Sequence, residues 1–256
     1  MRIRFLNPTP NAGYDPAKIE KQLNQYASPG TEVKIGFPDD YVGSKVVGYL
    51  SEKSNLNGLH HIMEAPSLIK KIVWASENGF DAVIQSNTFD PGVEGARGAV
   101  KIPVIGLLRT TLHAASTIAD KIGVVVPLAT HISYTRRLIR FYGMGDFIAG
   151  IRPIGVYGSG LDKRKKEITD ITIGVIRKLI DDGAQVILPL GGLLIPYVVD
   201  PVELEQATNA PVLNTKAIGI NFAELCVRMG MMQSPLTYTP IDGLKHEYFE
   251  QSAFGA

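Results

Sequence analysis

Short runs of apolar, mostly β-branched residues alternate along the chain with longer segments in which apolar positions recur at helical spacing. The short runs predict strands at 2–6, 32–36, 82–85, 104–107, 123–126, 147–154, 186–188 and 211–213. The longer segments predict helices at 15–26, 66–78, 93–100, 111–119, 133–141, 163–182, 201–208 and 216–229. Strands that alternate with helices in this way indicate βαβ units, and therefore an α/β fold with parallel sheets.

Two parts of the chain carry the same order of motifs: a strand, an Asp-Pro turn, a helix, and a strand that begins after a proline. The two copies are 79–105, with Asp90-Pro91, and 183–213, with Asp200-Pro201. A repeat of this kind indicates two similar halves, each built around its own parallel sheet. We therefore predict a first α/β domain of 1–112 plus 214–235, a second α/β domain of 113–213 and a C-terminal extension of 236–256.

Charge and hydropathy narrow the range of partners. The chain has 26 Lys and Arg residues against 25 Asp and Glu residues, so no nucleic-acid partner is expected. The longest apolar stretch, 186–199, is short for a membrane span and is broken by prolines and glycines, so no membrane partner is expected either. The N-terminus has the pattern of a strand and not of a signal core, which predicts a cytoplasmic location. The segment 236–256 contains aromatic residues that are expected to pack against another protein surface, which predicts a homo-oligomer.

Cysteine content limits the chemistry further. Cys226 is the one cysteine of the chain. A single cysteine excludes an internal disulfide, a thiolate zinc cluster and any reaction that uses two thiols of one chain. Cys226 falls in a late helix far from any glycine turn, so we predict that it is a buried structural thiol.

Ligands of open parallel sheets bind beyond the carboxyl ends of the strands, where helix N-termini offer unpaired N–H groups. Six segments fit this place: Asn7-Pro8-Thr9, Ser86-Asn87-Thr88, Arg109-Thr110-Thr111, Ala129-Thr130-His131, Leu190-Gly191-Gly192 and Asn214-Thr215. Their hydroxyl, amide and backbone donors suit a small carboxylate or imide. The predicted substrate contacts are Asn7, Thr88, Thr110, Thr111, Thr130, Leu190, Gly191 and Gly192.

Several of these motifs together resemble the Asp/Glu/hydantoin racemase superfamily, over about residues 1–230. The motifs are Arg2-Ile3-Arg4-Phe5-Leu6-Asn7-Pro8, Asp90-Pro91-Gly92, Ile102-Pro103-Val104-Ile105-Gly106, His113-Ala114-Ala115, 137–143 and 186–192. The resemblance implies two pseudosymmetric Rossmann-like domains whose parallel sheets face each other across a cleft. It also implies catalysis without a cofactor by two cysteines, one from each half, which remove and return a proton at Cα from opposite faces of the substrate.

Both of those cysteines are missing here. The resemblance places Asn87 at the first cysteine position and Leu190 at the second. Neither an amide nor an isobutyl group takes up a proton near neutral pH, so two-thiol racemisation is disfavoured. Relatives in the arylmalonate decarboxylase group keep one cysteine of the pair, whereas this chain keeps neither.

The remaining acid/base candidate is His131, at the head of a helix directly after a strand. The alternative is that His131 has a purely structural role. We predict His131 and Asn87 as the catalytic residues, with Tyr134 as a weaker candidate. No metal site is assigned, because the spacing of His60, His61 and Glu64 suits a metal but is more typical of a solvated face.

Two other polar residues are interpreted as structural. An Asp that precedes Pro and Gly at a strand-to-helix turn is more simply a helix cap than a general base, so we predict that Asp90 caps the helix after it. His113 lies among small apolar residues, and we predict that it packs there or bonds to the backbone.

These observations favour an enzyme that acts on a small carboxylate or a cyclic imide or amide. Hydrolysis, decarboxylation, elimination or a one-sided isomerisation fits better than two-thiol racemisation. The alternative is a non-catalytic protein that binds small anions and derives from a racemase. A pocket shared by His131 and Asn87 would favour the enzyme, and a cleft filled by Leu190 would favour the binding protein.

Overall fold

The computed structural model describes residues 1–7, 15–38, 44–158, 160–191 and 194–249. Its strands are β1 (Arg2–Leu6), β2 (Glu32–Gly36), β3 (Ala82–Gln85), β4 (Val104–Gly106), β5 (Ile122–Val126), β6 (Ile148–Pro153) and β7 (Val186–Pro189). Its α-helices are α1 (Pro16–Asn24), α2 (Ser44–Glu52), α3 (Gly58–Glu77), α4 (Val93–Ala99), α5 (Leu107–Ser116), α6 (His131–Phe141), α7 (Lys165–Asp181), α8 (Pro201–Thr208) and α9 (Thr215–Met229). Short 3₁₀ helices lie at Gly145–Phe147, Leu161–Arg164 and His246–Phe249.

The strands form two separate parallel sheets. One has the order β2-β1-β3-β4, and the other has the order β6-β5-β7. A single parallel bridge from Ile187 to Val212 occupies the fourth place of the second sheet, where the sequence pattern predicts a strand at 211–213. Both sheets therefore have the same strand order, as the internal repeat predicts. The α/β class with two parallel sheets is confirmed, whereas the bounds of the two domains stay a prediction.

Each sheet is covered on both faces by helices. Ile3 and Phe5 of β1 pack with Ile220 and Ala223 of α9, so this late helix belongs to the core of the first sheet. On the second sheet, Val124 packs in one cluster with residues of α5 and α6. The opposite face of that sheet is covered by α7 and α8. Because the strands are buried on both faces, their carboxyl ends are the parts of each sheet that are left to form a site.

Helix α3 begins eight residues before the sequence pattern predicts. Pro66 has the appearance of a helix start, because proline is favoured in a first helical turn. In the structure Pro66 lies inside the helix, and the N-cap is Asn57, whose side chain accepts a hydrogen bond from the Leu59 N–H at 3.0 Å. The extra turns include His60, His61 and Glu64. All three side chains are buried, so the prediction of a solvated face is wrong.

Asp90 caps a different helix from the one predicted. Gly92 occupies the N-cap position of α4. The Asp90 carboxylate instead accepts hydrogen bonds from the N–H groups of Leu108 and Arg109, at 2.9 and 3.0 Å, in the first turn of α5. The Tyr142 hydroxyl donates to the same carboxylate at 3.1 Å. Burial raises the pKa of Asp90 to about 6 despite these three donors.

Replacing Asp90 with alanine should lower the free energy of unfolding by about 2–3 kcal/mol, because three donors lose a buried acceptor. Asp200 is the matched control. Its exposed side chain caps α8 through one hydrogen bond, from the Val202 N–H at 3.0 Å, and Asp200→Ala should cost about 1 kcal/mol. Urea denaturation of both variants measures the difference. Equal losses would contradict a special role for Asp90.

The C-terminal extension packs on its own chain as far as it is described. The Tyr238 hydroxyl donates to Glu94 at 2.8 Å, and Phe249 lies against the cluster formed by α3 and α4. These contacts bury part of the aromatic surface on which the expectation of a homo-oligomer depends, and the homo-oligomer stays a prediction. Among the described helices, none has the length and apolar character needed to span a membrane.

Candidate active site

A small pocket lies between the carboxyl ends of the two sheets. Its cavity volume is about 70 Å³, enough for several waters. Asn7 and Asn87 line it just after β1 and β3, and Pro127 and Gly191 line it just after β5 and β7. Each half of the chain thus contributes two strand ends. The full lining is Asn7, Leu56, His60, His61, Glu64, Ser86, Asn87, Phe89, Pro127, His131, Tyr157, Gly158, Leu161, Gly191 and Leu194.

Four of the residues predicted from the sequence meet in this pocket. They are Asn7, Asn87, His131 and Gly191. Thr88 lies behind the pocket wall, where its hydroxyl oxygen accepts a hydrogen bond from the Gly191 N–H at 2.7 Å and so connects the two halves. Gly191 has a φ of +94°, and a Cβ there would lie 2.4 Å from Pro127 Cγ, so the turn requires glycine.

The other predicted contacts do not line the pocket. Leu190 is buried in the hydrophobic cluster of the second sheet. The Thr111 hydroxyl is buried and donates to the Leu107 carbonyl within α5. Thr110 lines a separate surface groove, and Thr130 is exposed at the start of α6. Gly192 lies outside the described residues.

The pocket also contains His60, His61 and Glu64 on α3, which the sequence pattern assigns to a solvated face and not to the site. His60 Nε2 lies 3.1 Å from Glu64 Oε1, and His61 Nδ1 lies 3.6 Å from Glu64 Oε2. Burial lowers the pKa of His61, which favours its neutral form. Burial alone would raise the pKa of the Glu64 carboxyl, but the two imidazoles outweigh it and hold that pKa below its usual range. The pocket therefore holds an ionised carboxylate next to a neutral imidazole.

Asn87 fixes the orientation of that carboxylate. Its Nδ2 donates to Glu64 Oε2 at 2.8 Å, while its Oδ1 accepts from the Phe89 N–H at 3.1 Å. The amide is thereby held from both ends. Asn87 acts on the pocket through Glu64 as well as through its own surface.

His131 is placed as a hydrogen-bond donor. Its Nδ1 accepts a hydrogen bond from the Leu128 N–H at 3.2 Å, which assigns the ring proton to Nε2. Burial, with added repulsion from His61 and His60, lowers the pKa of His131 to about 3. The imidazole is therefore neutral near pH 7. This differs from the predicted role of a group that takes up and returns protons at neutral pH.

The remaining polar candidates lie around the pocket or away from it. Tyr134 stacks on the far side of His61, with ring centroids 4.8 Å apart, and does not line the cavity. His113 is exposed, and its Nδ1 forms a hydrogen bond with the Arg109 carbonyl. A bond to the backbone is one of the two alternatives predicted for this residue. Cys226 is buried on α9 against the first sheet, as predicted.

Lys216 is a second polar residue that carries no signal in the sequence. Its side chain is fully buried at the start of α9, and its Nζ donates to the Ser86 carbonyl at 2.8 Å. Burial lowers its pKa to about 7. This bond holds the Ser86 backbone, next to Asn87, from behind the pocket.

Replacing Lys216 with methionine should remove a pH dependence of stability. Between the folded pKa of about 7 and the ordinary value of 10.5, the unfolded state binds a proton that the folded state lacks. Wild-type stability should therefore rise with pH relative to the variant, by at most about 1.4 kcal/mol per pH unit. Urea denaturation at about pH 7.5 and about pH 9 tests this. The exposed control Lys178→Met should keep the wild-type slope, and an equal slope in Lys216→Met would contradict the prediction.

Two α/β halves with a pocket at the carboxyl ends of both sheets, lined by polar and apolar side chains, have the architecture of proteins that bind small molecules between two halves. The sequence model of one family in this class, described as Asp/Glu/Hydantoin racemase, matches residues 61–223, and the chain belongs to that family.

Individual relatives agree with this assignment. A hydantoin racemase from Pseudomonas sp. (strain NS671) is 29% identical over 182 residues, which cover 68% of this chain and 69% of the relative. The structure of allantoin racemase from Klebsiella pneumoniae superposes with a TM-score of 0.79 at 22% identity, over 95% of this chain and 94% of that one. The structure of unliganded arylmalonate decarboxylase superposes with a TM-score of 0.57 at 16% identity, over 88% of this chain and 92% of that one. The two structures show a shared fold.

Proposed function

We propose that the chain is an enzyme that acts on a small carboxylate or a cyclic imide or amide by a reaction on one face of the substrate. The observation that carries this proposal is the asymmetry of the pocket. The ionisable groups His60, His61 and Glu64 form one wall, on α3. The second half contributes Pro127, Gly191 and Leu194 around the second cysteine position, and its polar side chains in the lining are His131 and Tyr157. Leu190 itself packs into the core.

The two walls have complementary chemistry. The α3 wall is the basic side, where a proton or an attacking water is handled. His131 contributes a neutral Nε2–H at the head of α6, which can donate to a carbonyl or carboxylate oxygen as negative charge develops on it. A neutral imidazole suits this task because it binds an oxyanion without first losing a proton to it.

Two observations favour catalysis over binding alone. His131 and Asn87 line one pocket, and a backbone N–H stands behind the imidazole and fixes its tautomer. Leu190 does not fill the cleft. The names of the relatives supply the compounds to test first: a 5-substituted hydantoin, allantoin and an arylmalonate. Each has a carbon acid or scissile bond next to a carbonyl group that His131 could polarise.

Turnover should be insensitive to thiol alkylation, because Cys226 is buried on α9 and does not line the pocket. Proton NMR in D₂O follows ring opening, decarboxylation and exchange at Cα for each compound, before and after iodoacetamide. We expect chemical turnover or exchange of one compound, unchanged by the reagent and unchanged in Cys226→Ser. Activity lost in both would restore a thiol mechanism. Binding of all three compounds with no turnover would favour the non-catalytic alternative.

A further inference from the structure

We infer that His60, His61 and Glu64 form a binding site for one divalent transition-metal ion of the zinc type. Each residue offers one ligand atom, and the three atoms lie within 4.8 Å of one another. All three side chains are buried, and all three line the cleft pocket. No other group of three such residues is found in the part of the chain that the structure describes.

The helix geometry brings these ligands to one side of α3. Glu64 follows His60 by four residues and His61 by three, so both imidazoles lie one turn below the carboxylate. Two ligand atoms about 2.0–2.1 Å from a tetrahedral ion are roughly 3.3 Å apart. The separation of 3.1 Å between His60 Nε2 and Glu64 Oε1 is close to that distance, and one ligand atom from each of the three residues lies within 4.8 Å of the others.

The two imidazoles have no other partner. None of their four ring nitrogens makes an aligned hydrogen bond within the described residues, although all four are buried. His60 Nε2 and His61 Nδ1 are the ring nitrogens that lie next to the Glu64 carboxylate. An unpaired buried polar atom is costly, on the order of 1–3 kcal/mol, and an ion between these groups would give one nitrogen of each ring a partner.

Surrounding residues orient two of the three ligands, Glu64 and His61. Asn87 donates to Glu64 Oε2 and leaves Oε1 for the ion. The His61 ring packs against both Tyr134 and Phe89, with centroids 4.8 and 4.7 Å away. Two imidazoles and one carboxylate suit Zn²⁺, Co²⁺ or Ni²⁺ better than Mg²⁺ or Ca²⁺, which prefer all-oxygen sites.

Three protein ligands leave a coordination position open toward the pocket, as in catalytic zinc sites. A bound ion would act there as a Lewis acid on a carbonyl oxygen of the substrate. That use of the ion rests on the proposed function, whereas the binding of the ion does not. Binding and turnover are therefore measured separately.

Metal binding is tested on the full chain after removal of metal with a chelator, with circular dichroism to verify the fold. Titration with Co²⁺ should give one bound equivalent with visible d–d absorption, and Zn²⁺ should displace it. In the Co²⁺ form of the wild-type protein, two imidazoles should show paramagnetically shifted NMR signals. This last readout needs no variant. Absence of stoichiometric binding, or of any shifted imidazole, would overturn the proposal.

Variants locate the ion. Glu64→Gln, which keeps the size of the side chain, and His60→Ala should each weaken Co²⁺ binding by at least about 100-fold, and Asn87→Ala by roughly 10- to 100-fold. His113→Ala removes an exposed histidine outside the pocket and should bind Co²⁺ like the wild type. Full binding by folded Glu64→Gln and His60→Ala would overturn the proposal. Co²⁺ binding without turnover of any compound would uphold the metal site and contradict only the proposed function.

Discussion

Replacing His131 with alanine should lower kcat by about 10²- to 10³-fold with a much smaller change in KM, because in the proposed reaction the Nε2–H donates to an oxygen on which charge develops in the transition state. His131→Gln, which retains an N–H donor, should recover part of the loss. His113→Ala is the matched control, since that imidazole is exposed on α5 outside the pocket. The assay is initial-rate kinetics on whichever compound is turned over.

The pH profile separates two roles for this imidazole. With a pKa of about 3, His131 stays neutral throughout the range in which the protein is assayed, and it becomes charged only as the pH falls through that value. The variant should therefore show a lower profile of unchanged shape. If His131→Ala instead removed an acidic limb near the ordinary histidine pKa, the residue would be a proton carrier and the donor role would be wrong. An unchanged kcat in His131→Ala would show that His131 has only a structural role.

Replacing Asn87 with alanine should lower kcat/KM, which corresponds to a rise of roughly 2–4 kcal/mol in the activation free energy. The reason is that the buried Glu64 carboxylate loses a hydrogen bond and its fixed orientation. The cause is the 2.8 Å contact from Asn87 Nδ2 to Glu64. Kinetics of Asn87→Ala, Glu64→Gln and the double variant measure the coupling of the two side chains. We expect the double variant to be little worse than Glu64→Gln alone.

Asn221→Ala provides the control for loss of an amide. Asn221 is exposed on α9, and its Nδ2 donates to the carbonyls of Tyr26 and Ala217, far from the lining of the pocket. Its activity should equal that of the wild type. Additive losses for Asn87→Ala and Glu64→Gln would show that the two side chains act independently, contrary to the geometry.

Much of the fold could be predicted from the sequence, because short apolar runs of three to eight residues mark the strands of sheets that helices cover on both faces. Helix starts were harder to predict. The start of α3 was misplaced since Pro66 carries a stronger local signal than the Asn57 cap. The start of α5 was misplaced since its cap, Asp90, lies on a distant turn and not in the preceding residues. The pattern also predicts no helix at α2 (Ser44–Glu52), whose apolar spacing is interrupted by Gly48.

The site could be predicted in part. Strand ends located Asn7, Asn87, His131 and Gly191, because the carboxyl ends of parallel strands lie together whatever the loops contain. The α3 residues follow no strand end, and they reach the pocket only because the helix starts early and runs past β3. Lys216 gives no signal at all, since a lysine at the start of a helix is ordinarily solvated. Only tertiary packing buries it.

The unequal walls of the pocket have a stereochemical consequence. Two groups that exchange protons on opposite faces of a planar intermediate interconvert enantiomers, which is why a two-base site erases handedness. Here α3 contributes a carboxylate and two imidazoles to the lining, whereas the lining around the second cysteine position consists of Pro127, Gly191 and Leu194, and the polar side chains of that half are His131 and Tyr157. Under the proposed reaction, proton transfer takes place from the α3 side alone, and the product should form with a single handedness. A site that lacks both thiols would then select between enantiomers instead of mixing them.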